Sequence, residues 1–231
     1  MLNKLICFFT LIFFSCTESV PLNSKKGLNF GIVIHGGAGT MNRKDMTPKK
    51  EKEYRKALEE SITSGYKILK EGGTSQEAVE QSIRIMENSP LFNAGKGAVL
   101  TAEKTIELDA AFMNGKDLNA GAVASVKTIK NPITAAIKVM EESPHVLLSS
   151  RGAEKFAKEK DLEIVDPSYF FTERRVNDLY KIQNIESSAN RSTKQVDKEF
   201  LNMQRYGTVG AVALDKHGNL AAGTSTGGMA N

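Results

Sequence analysis

Gly207-Thr208-Val209-Gly210-Ala211-Val212-Ala213-Leu214-Asp215-Lys216-His217-Gly218-Asn219-Leu220-Ala221-Ala222-Gly223-Thr224-Ser225-Thr226-Gly227-Gly228 holds two apolar runs separated by a turn signal. A hairpin centred on His217 sets Leu214 against Leu220 and carries the pairing back to Thr208 against Thr226. Directly opposed residues in such a pair have Cβ atoms roughly 4.5–5.5 Å apart, close enough for two hydroxyls to meet.

That placement suits a specific chemistry. A threonine hydroxyl is a weak nucleophile and needs a base, and a threonine at a chain start can use its own amine. Here the amine is released only if the Gly207–Thr208 bond is cut. Glycine before the threonine leaves that carbonyl open to attack and tolerates an unusual backbone. Residues 184–206 are rich in Ser, Asn, Gln, Lys and Glu and sparse in apolar side chains, which predicts an exposed, mobile connector ahead of the junction. Taken alone, a Thr–Thr pair in a sheet is more often an ordinary contact than a catalytic one.

Working back along the chain, residues 29–34 form a short apolar run ended by His35-Gly36-Gly37-Ala38-Gly39, a strand leading into a glycine turn. Thr47-Pro48 starts a helix with proline at its first position, and Tyr54, Leu58, Ile62, Tyr66 and Leu69 recur at helical spacing until Gly72-Gly73. Thr74 and Glu77 make a capping-box pattern for a second helix with Val79, Ile83 and Met86 on one face. Strands are expected at 97–101, 105–113, 121–126 and 145–148. Further helices are expected from Asn131-Pro132 through Met140 and over 151–160. Helices, strands and helices again, without regular βαβ alternation, predict mixed α and β layers.

Composition narrows the function. With 231 residues, 40% apolar and 25% charged, the chain reads as one globular domain. The net charge of +4 comes from basic residues interleaved with acids, as in Lys49-Lys50-Glu51-Lys52-Glu53, and not from the basic stripe with aromatics that nucleic acid requires. Both cysteines, Cys7 and Cys16, lie at the N-terminus, so a thiol nucleophile or a cysteine-held metal in the domain is excluded. Residues 5–14, after Lys4, match the apolar part of an export signal and are too short to span a bilayer. Ser15-Cys16 suits bacterial lipoprotein processing, which would leave Cys16 as a lipidated terminus. Phe13 fits that pattern imperfectly, and ordinary signal cleavage nearby stays open.

The blocks also carry a family likeness. The segments Gly207 to Asp215, Gly218 to Ala222 and Thr224-Ser225-Thr226-Gly227-Gly228-Met229 resemble the isoaspartyl peptidase/L-asparaginase family, the plant-type asparaginases among N-terminal-nucleophile hydrolases. His35-Gly36-Gly37-Ala38-Gly39, Phe92-Asn93-Ala94-Gly95-Lys96-Gly97, Glu107-Leu108-Asp109-Ala110, Gly121-Ala122-Val123-Ala124, Asn131-Pro132 and Ser143-Pro144-His145-Val146-Leu147-Leu148 follow in the family's order. The resemblance implies an α+β fold of four αββα layers. It implies self-cleavage into an α part (residues 17–207) and a β part starting at Thr208. Thr208 would be the nucleophile, Thr226 would bond its hydroxyl, and Asn93 would lie beside the substrate. Backbone carbonyls at Met86, Glu87, Ser89, Phe92, Ala94 and Lys96 match a sodium-binding loop. The implied substrates are β-aspartyl dipeptides and L-asparagine, with glycosylated asparagine the alternative. The family habit is a homodimer.

One departure is informative. The family's Gly-Arg-x-Gly-Asp-Ser-Pro segment and a later Thr-Gly-Gly segment, which supply substrate-binding charges and oxyanion donors, fall beyond the matched Asn231. The sequence therefore reads as a C-terminally truncated fragment with little activity of its own. Other assignments fare worse. Gly223-Thr224-Ser225-Thr226-Gly227 matches a nucleophile elbow, but the acid and histidine of an α/β-hydrolase should follow the serine. The glycine turn at 36–39 lacks dinucleotide-binding spacing. A non-catalytic envelope lipoprotein of the same fold is the remaining alternative.

Overall fold

A computed structural model describes residues 29–38, 46–189 and 207–229, with side chains through 184 in the helix that ends at Ala189. The elements in chain order are β1 (Gly31–His35), α1 (Pro48–Glu71), α2 (Ser75–Glu87), β2 (Leu108–Asn114), β3 (Ala120–Val126), α3 (Pro132–Glu142), β4 (Leu147–Ser149), α4 (Ser150–Glu159), α5 (Glu173–Ala189), β5 (Val209–Leu214) and β6 (Leu220–Thr226). The fold is α+β.

The two long helices start where their caps say they should. Thr47 accepts the Lys50 N–H at 3.2 Å, Pro48 takes the first position, and Gly72 closes α1 at φ 94°. In α2 the capping box is complete: Glu77 accepts the Thr74 N–H at 2.7 Å, and Thr74 accepts the Glu77 N–H at 3.2 Å. The helices cross closely because Ser61 and Ser82 exchange hydroxyl-to-carbonyl bonds of 2.9 and 3.0 Å.

Six strands form one sheet in the order β1-β5-β6-β2-β3-β4, antiparallel except for β3 with β4. The hairpin has the register its turn requires, with Leu214 opposite Leu220 and Val209 opposite Ser225. One sheet face is buried under helices, through Val209, Ala211, Ala213, Phe112 and Val123 against Val79, Ile83 and Ile133. The other face is bare: Val33, Val212, Ala222 and Met113 form one row across four strands, and Val33 is 71% and Val212 50% exposed. Of the four αββα layers, the described residues thus supply one helical layer and one sheet.

Three expectations need correction. Residues 97–101 are not a strand: a 3-10 turn over Gly95–Gly97 leads into irregular backbone, because that segment wraps round the end of α2. Strand β2 begins at Leu108, later than expected. Residues 184–189, read as connector, continue helix α5, which sequence analysis missed. That helix is anchored by Leu179 and Ile182, too few apolar positions to give a clear period. Residues 190–206 and the export segment lie outside the described residues.

Asp215 ties the hairpin to the helical layer. Its Oδ1 accepts the His217 and Asn219 N–H groups at 2.9 Å each, and its Oδ2 accepts the Ser75 N–H at the start of α2 at 3.2 Å. Burial alone would raise its pKa, but the bonds from Asn219, Ser75 and His217 outweigh it and hold the carboxyl below its ordinary 3.8. A depressed folded-state value means stability present above the unfolded value and lost as pH falls through the folded one. Asp215→Ala should cost about 2–4 kcal/mol in chemical denaturation at pH 7, since three amides lose their acceptor. The gap between wild type and variant should narrow as pH drops below about 4; a pH-independent gap would contradict the ionised carboxylate.

Candidate active site at the Gly207–Thr208 junction

Strands β5 and β6 bring the two threonines together as the sequence implies. Thr208 donates its hydroxyl to Thr226 Oγ1 at 3.3 Å, and Thr226 donates in turn to the Gly207 carbonyl at 2.9 Å. The Gly228 N–H donates to Thr226 Oγ1 at 3.0 Å. Thr226 therefore accepts twice and donates once, which fixes the direction of its single proton.

Asn93 is the second donor on that carbonyl. Its Nδ2 reaches Gly207 O at 3.0 Å and Gly228 O at 2.7 Å, while its Oδ1 accepts the Val99 N–H at 2.9 Å. Its backbone carbonyl accepts the Gly227 N–H at 3.1 Å. The side chain is 5% exposed and has no freedom to turn away. Residue 207 must be glycine, because a Cβ there would lie 2.6 Å from Asn93 Cβ. So the carbonyl before Thr208 sits between two donors, with a hydroxyl beside it. Sequence reasoning placed Asn93 near substrate and missed that it grips the junction. The glycine turn after β1 is also at the site: a Cβ on Gly37, which has φ +127°, would stand 3.8 Å from both Gly207 Cα and Thr208 N.

Two carboxylates support the pair from either side, and neither role was legible beforehand. Glu87 is fully buried and accepts from Ser225 Oγ at 2.7 Å, Asn131 Nδ2 at 2.9 Å and the Ile133 N–H at 3.0 Å. Burial pushes its pKa up to about 7 against the opposing hydrogen bonds. It thereby pins the residue next to Thr226 to the start of α3, whose own Asn131 makes no side-chain cap. Asp109 faces Thr226 across β2 and β6, and its Oδ1 accepts the Ser125 N–H at 2.8 Å. Ser125 has φ 53°, and the β2–β3 register shifts between Leu108 and Ala110, so this carboxylate closes a bulge beside the site.

The 86–97 loop divides its carbonyls into two groups. Those of Pro90, Leu91, Asn93, Gly95 and Gly97 each accept a hydrogen bond. That of Met86 accepts N–H groups from Asn88 and Ser89, whereas that of Ala94 accepts the Gly97 N–H and keeps a second lone pair. Among the described residues no donor reaches the carbonyls of Glu87, Ser89, Phe92 or Lys96, although Glu87 and Phe92 are buried. The Glu87 and Phe92 carbonyls turn into the loop, where Cβ atoms on Gly95 and Gly97 would approach them to 2.3 and 2.1 Å. Buried carbonyls without donors fit a hard, oxygen-seeking cation. Lys96 points its ammonium away, over the Tyr169 ring at 5.1 Å. Among the described residues no three His, Cys, Asp or Glu side chains gather as a metal centre would.

The asparaginase family model matches residues 28–231. The chain belongs to that family. It is 45% identical to the isoaspartyl peptidase of Escherichia coli over 201 residues, covering 87% of this chain and 61% of the relative. To the isoaspartyl peptidase/L-asparaginase of Mus musculus it is 41% identical over 218 residues, 93% of this chain and 62% of the relative. The plant-type L-asparaginase of Thermococcus kodakarensis is 42% identical over 203 residues, 86% and 63%. This family member spans roughly three fifths of the length of the curated relatives it matches.

Proposed function

We propose that this chain is part of the precursor of a threonine amidohydrolase that first cuts its own Gly207–Thr208 bond. The observation that carries the proposal is the Gly207 carbonyl, held by Asn93 Nδ2 and Thr226 Oγ1 beside the Thr208 hydroxyl. The Thr208 oxygen adds to the carbonyl carbon while its proton passes to Thr226, whose own proton moves to the developing oxyanion. The C–N bond then breaks as the carbonyl reforms, and the proton on the tetrahedral hydroxyl returns through Thr226 to the departing nitrogen, which becomes the Thr208 amine. Gly207 is left as an ester on Thr208, which water hydrolyses to a carboxylate and a free hydroxyl. The released amine can serve as base for the same hydroxyl in later turnovers.

The relatives' names, isoaspartyl peptidase and L-asparaginase, support the next step. In the full-length protein the freed Thr208 would attack the side-chain amide carbonyl of a β-aspartyl dipeptide or of L-asparagine, releasing L-aspartate. The loop carbonyls from Met86 to Lys96 would hold a sodium ion. Such an ion supplies charge that keeps the loop closed; the chain's part is to aim Asn93 from that loop. We further propose export through residues 5–14, with Cys16 as the lipid-bearing terminus.

Full-length wild type should run as two chains on a denaturing gel and release aspartate from β-aspartyl dipeptides. Thr208→Ala should stay as one chain, and Asn93→Ala should slow cleavage by about 10²–10³, the usual loss for one oxyanion donor. Self-processing is refuted if the wild-type junction stays intact while aspartate is still released. Exchanging sodium for choline at equal ionic strength should lower the melting temperature, with recovery on adding sodium back; identical melting in both salts would remove the ion from the account. Cys16→Ser should shift the protein from the membrane fraction to the soluble one and abolish palmitate labelling, and unchanged labelling would rule out Cys16 as the anchor.

A further inference from the structure

Helix α5 grips the loop that holds the junction, and it does so with two consecutive arginines. Arg174 Nη1 donates to Tyr54 Oη at 3.1 Å, and its Nη2 donates to the Pro90 and Leu91 carbonyls at 3.2 and 3.1 Å. Tyr54 reinforces the contact: its hydroxyl donates to the Leu91 carbonyl at 3.0 Å, and its ring meets Phe92 edge-on at 5.8 Å between centroids. Arg175 Nε donates to the Gly97 carbonyl at 2.7 Å, and its Nη1 lies 3.8 Å from Asp178 Oδ2, with the arginine side chain only 10% exposed. Burial, and then the neighbouring Arg174 charge, lower the Arg175 pKa to about 10, so it stays protonated at neutral pH.

Setting two adjacent guanidiniums against backbone carbonyls costs desolvation and like-charge repulsion. Packing alone would be met more simply by apolar side chains. The planar fork, however, fixes a carbonyl in direction as well as position. The gripped carbonyls at 90, 91 and 97 bracket Asn93 on both sides, and Val99, whose N–H orients the Asn93 side chain, follows directly. Neither arginine touches Thr208, Thr226 or Gly207 in any described contact.

We propose that Arg174 and Arg175 are positioning residues for cleavage of the Gly207–Thr208 bond, clamping the 88–99 loop so that Asn93 Nδ2 stays on the Gly207 carbonyl. The inference rests on the self-cleavage reading and assigns to helix α5 a task beyond covering the core. The clamp acts through Asn93, so its loss loosens one loop and leaves the α2–α3 core as it was.

Two measurements test it. In full-length protein carrying Thr208→Ala, which stays uncut, Arg175→Met should speed hydrogen exchange at the Val99 and Gly227 amides tenfold or more, with core amides of α2 and α3 unchanged. In cleavage-competent protein Arg175→Met should slow the appearance of two chains at least tenfold. Arg175→Lys should fall between, and guanidinium added to Arg175→Gly should restore part of the rate. Normal cleavage by folded Arg175→Met, or exchange that rises uniformly across the protein, would reduce the arginines to a structural staple and leave self-cleavage standing. A wild-type protein that never cuts would overturn both.

Discussion

The register of one hairpin governs everything else at the site. With Leu214 against Leu220, alternation puts Thr208 and Thr226 side by side and aims both hydroxyls out of the buried layer. A slip of one residue would turn both to the other face, because side chains alternate along a strand. The protein spends buried polar groups to prevent that slip. Asp215 fixes the turn, Glu87 holds Ser225 from below, and Asp109 closes a bulge on the neighbouring strand. Each acts on backbone or on a residue next to the reactive pair. None touches the reacting atoms.

Burying Glu87 runs against ordinary economy. A carboxylate at the end of α2 meets the unfavourable pole of that helix, and desolvation raises its pKa. The opposing gain is positional. The same group sits at the favourable start of α3 and accepts two bonds from there and one from β6, so it fixes the meeting point of α2, α3 and β6 where an apolar side chain could only fill space. The loop beside it follows the same logic in reverse, with donors withheld from some carbonyls and two arginines supplied to others.

Local signals were read most faithfully where they act within a few residues. Thr47-Pro48 and the Thr74–Glu77 box start their helices as expected, and the Asp215–Asn219 turn sets the pairing of Thr208 with Thr226. Long-range partners were not legible. Nothing in the spacing of Asn93 says that its amide will reach a carbonyl 114 positions away, nor that Glu87 will meet Ser225 across 138. Polar composition also misled at 184–189, where the helix is anchored upstream by Leu179 and Ile182 and simply runs on. The short apolar run at 97–101 looked like a strand, whereas Ala98 and Leu100 are spent on the core next to α2.

Helix α5 and Gly207 are fastened to the same loop, one by guanidiniums and the other by an amide. A shift of Gly207 by even one residue would carry its carbonyl out of Asn93's grasp, and any side chain in its place would meet Asn93 Cβ at 2.6 Å. Mutational drift is therefore barred at this one peptide unit in two independent ways, by length and by bulk.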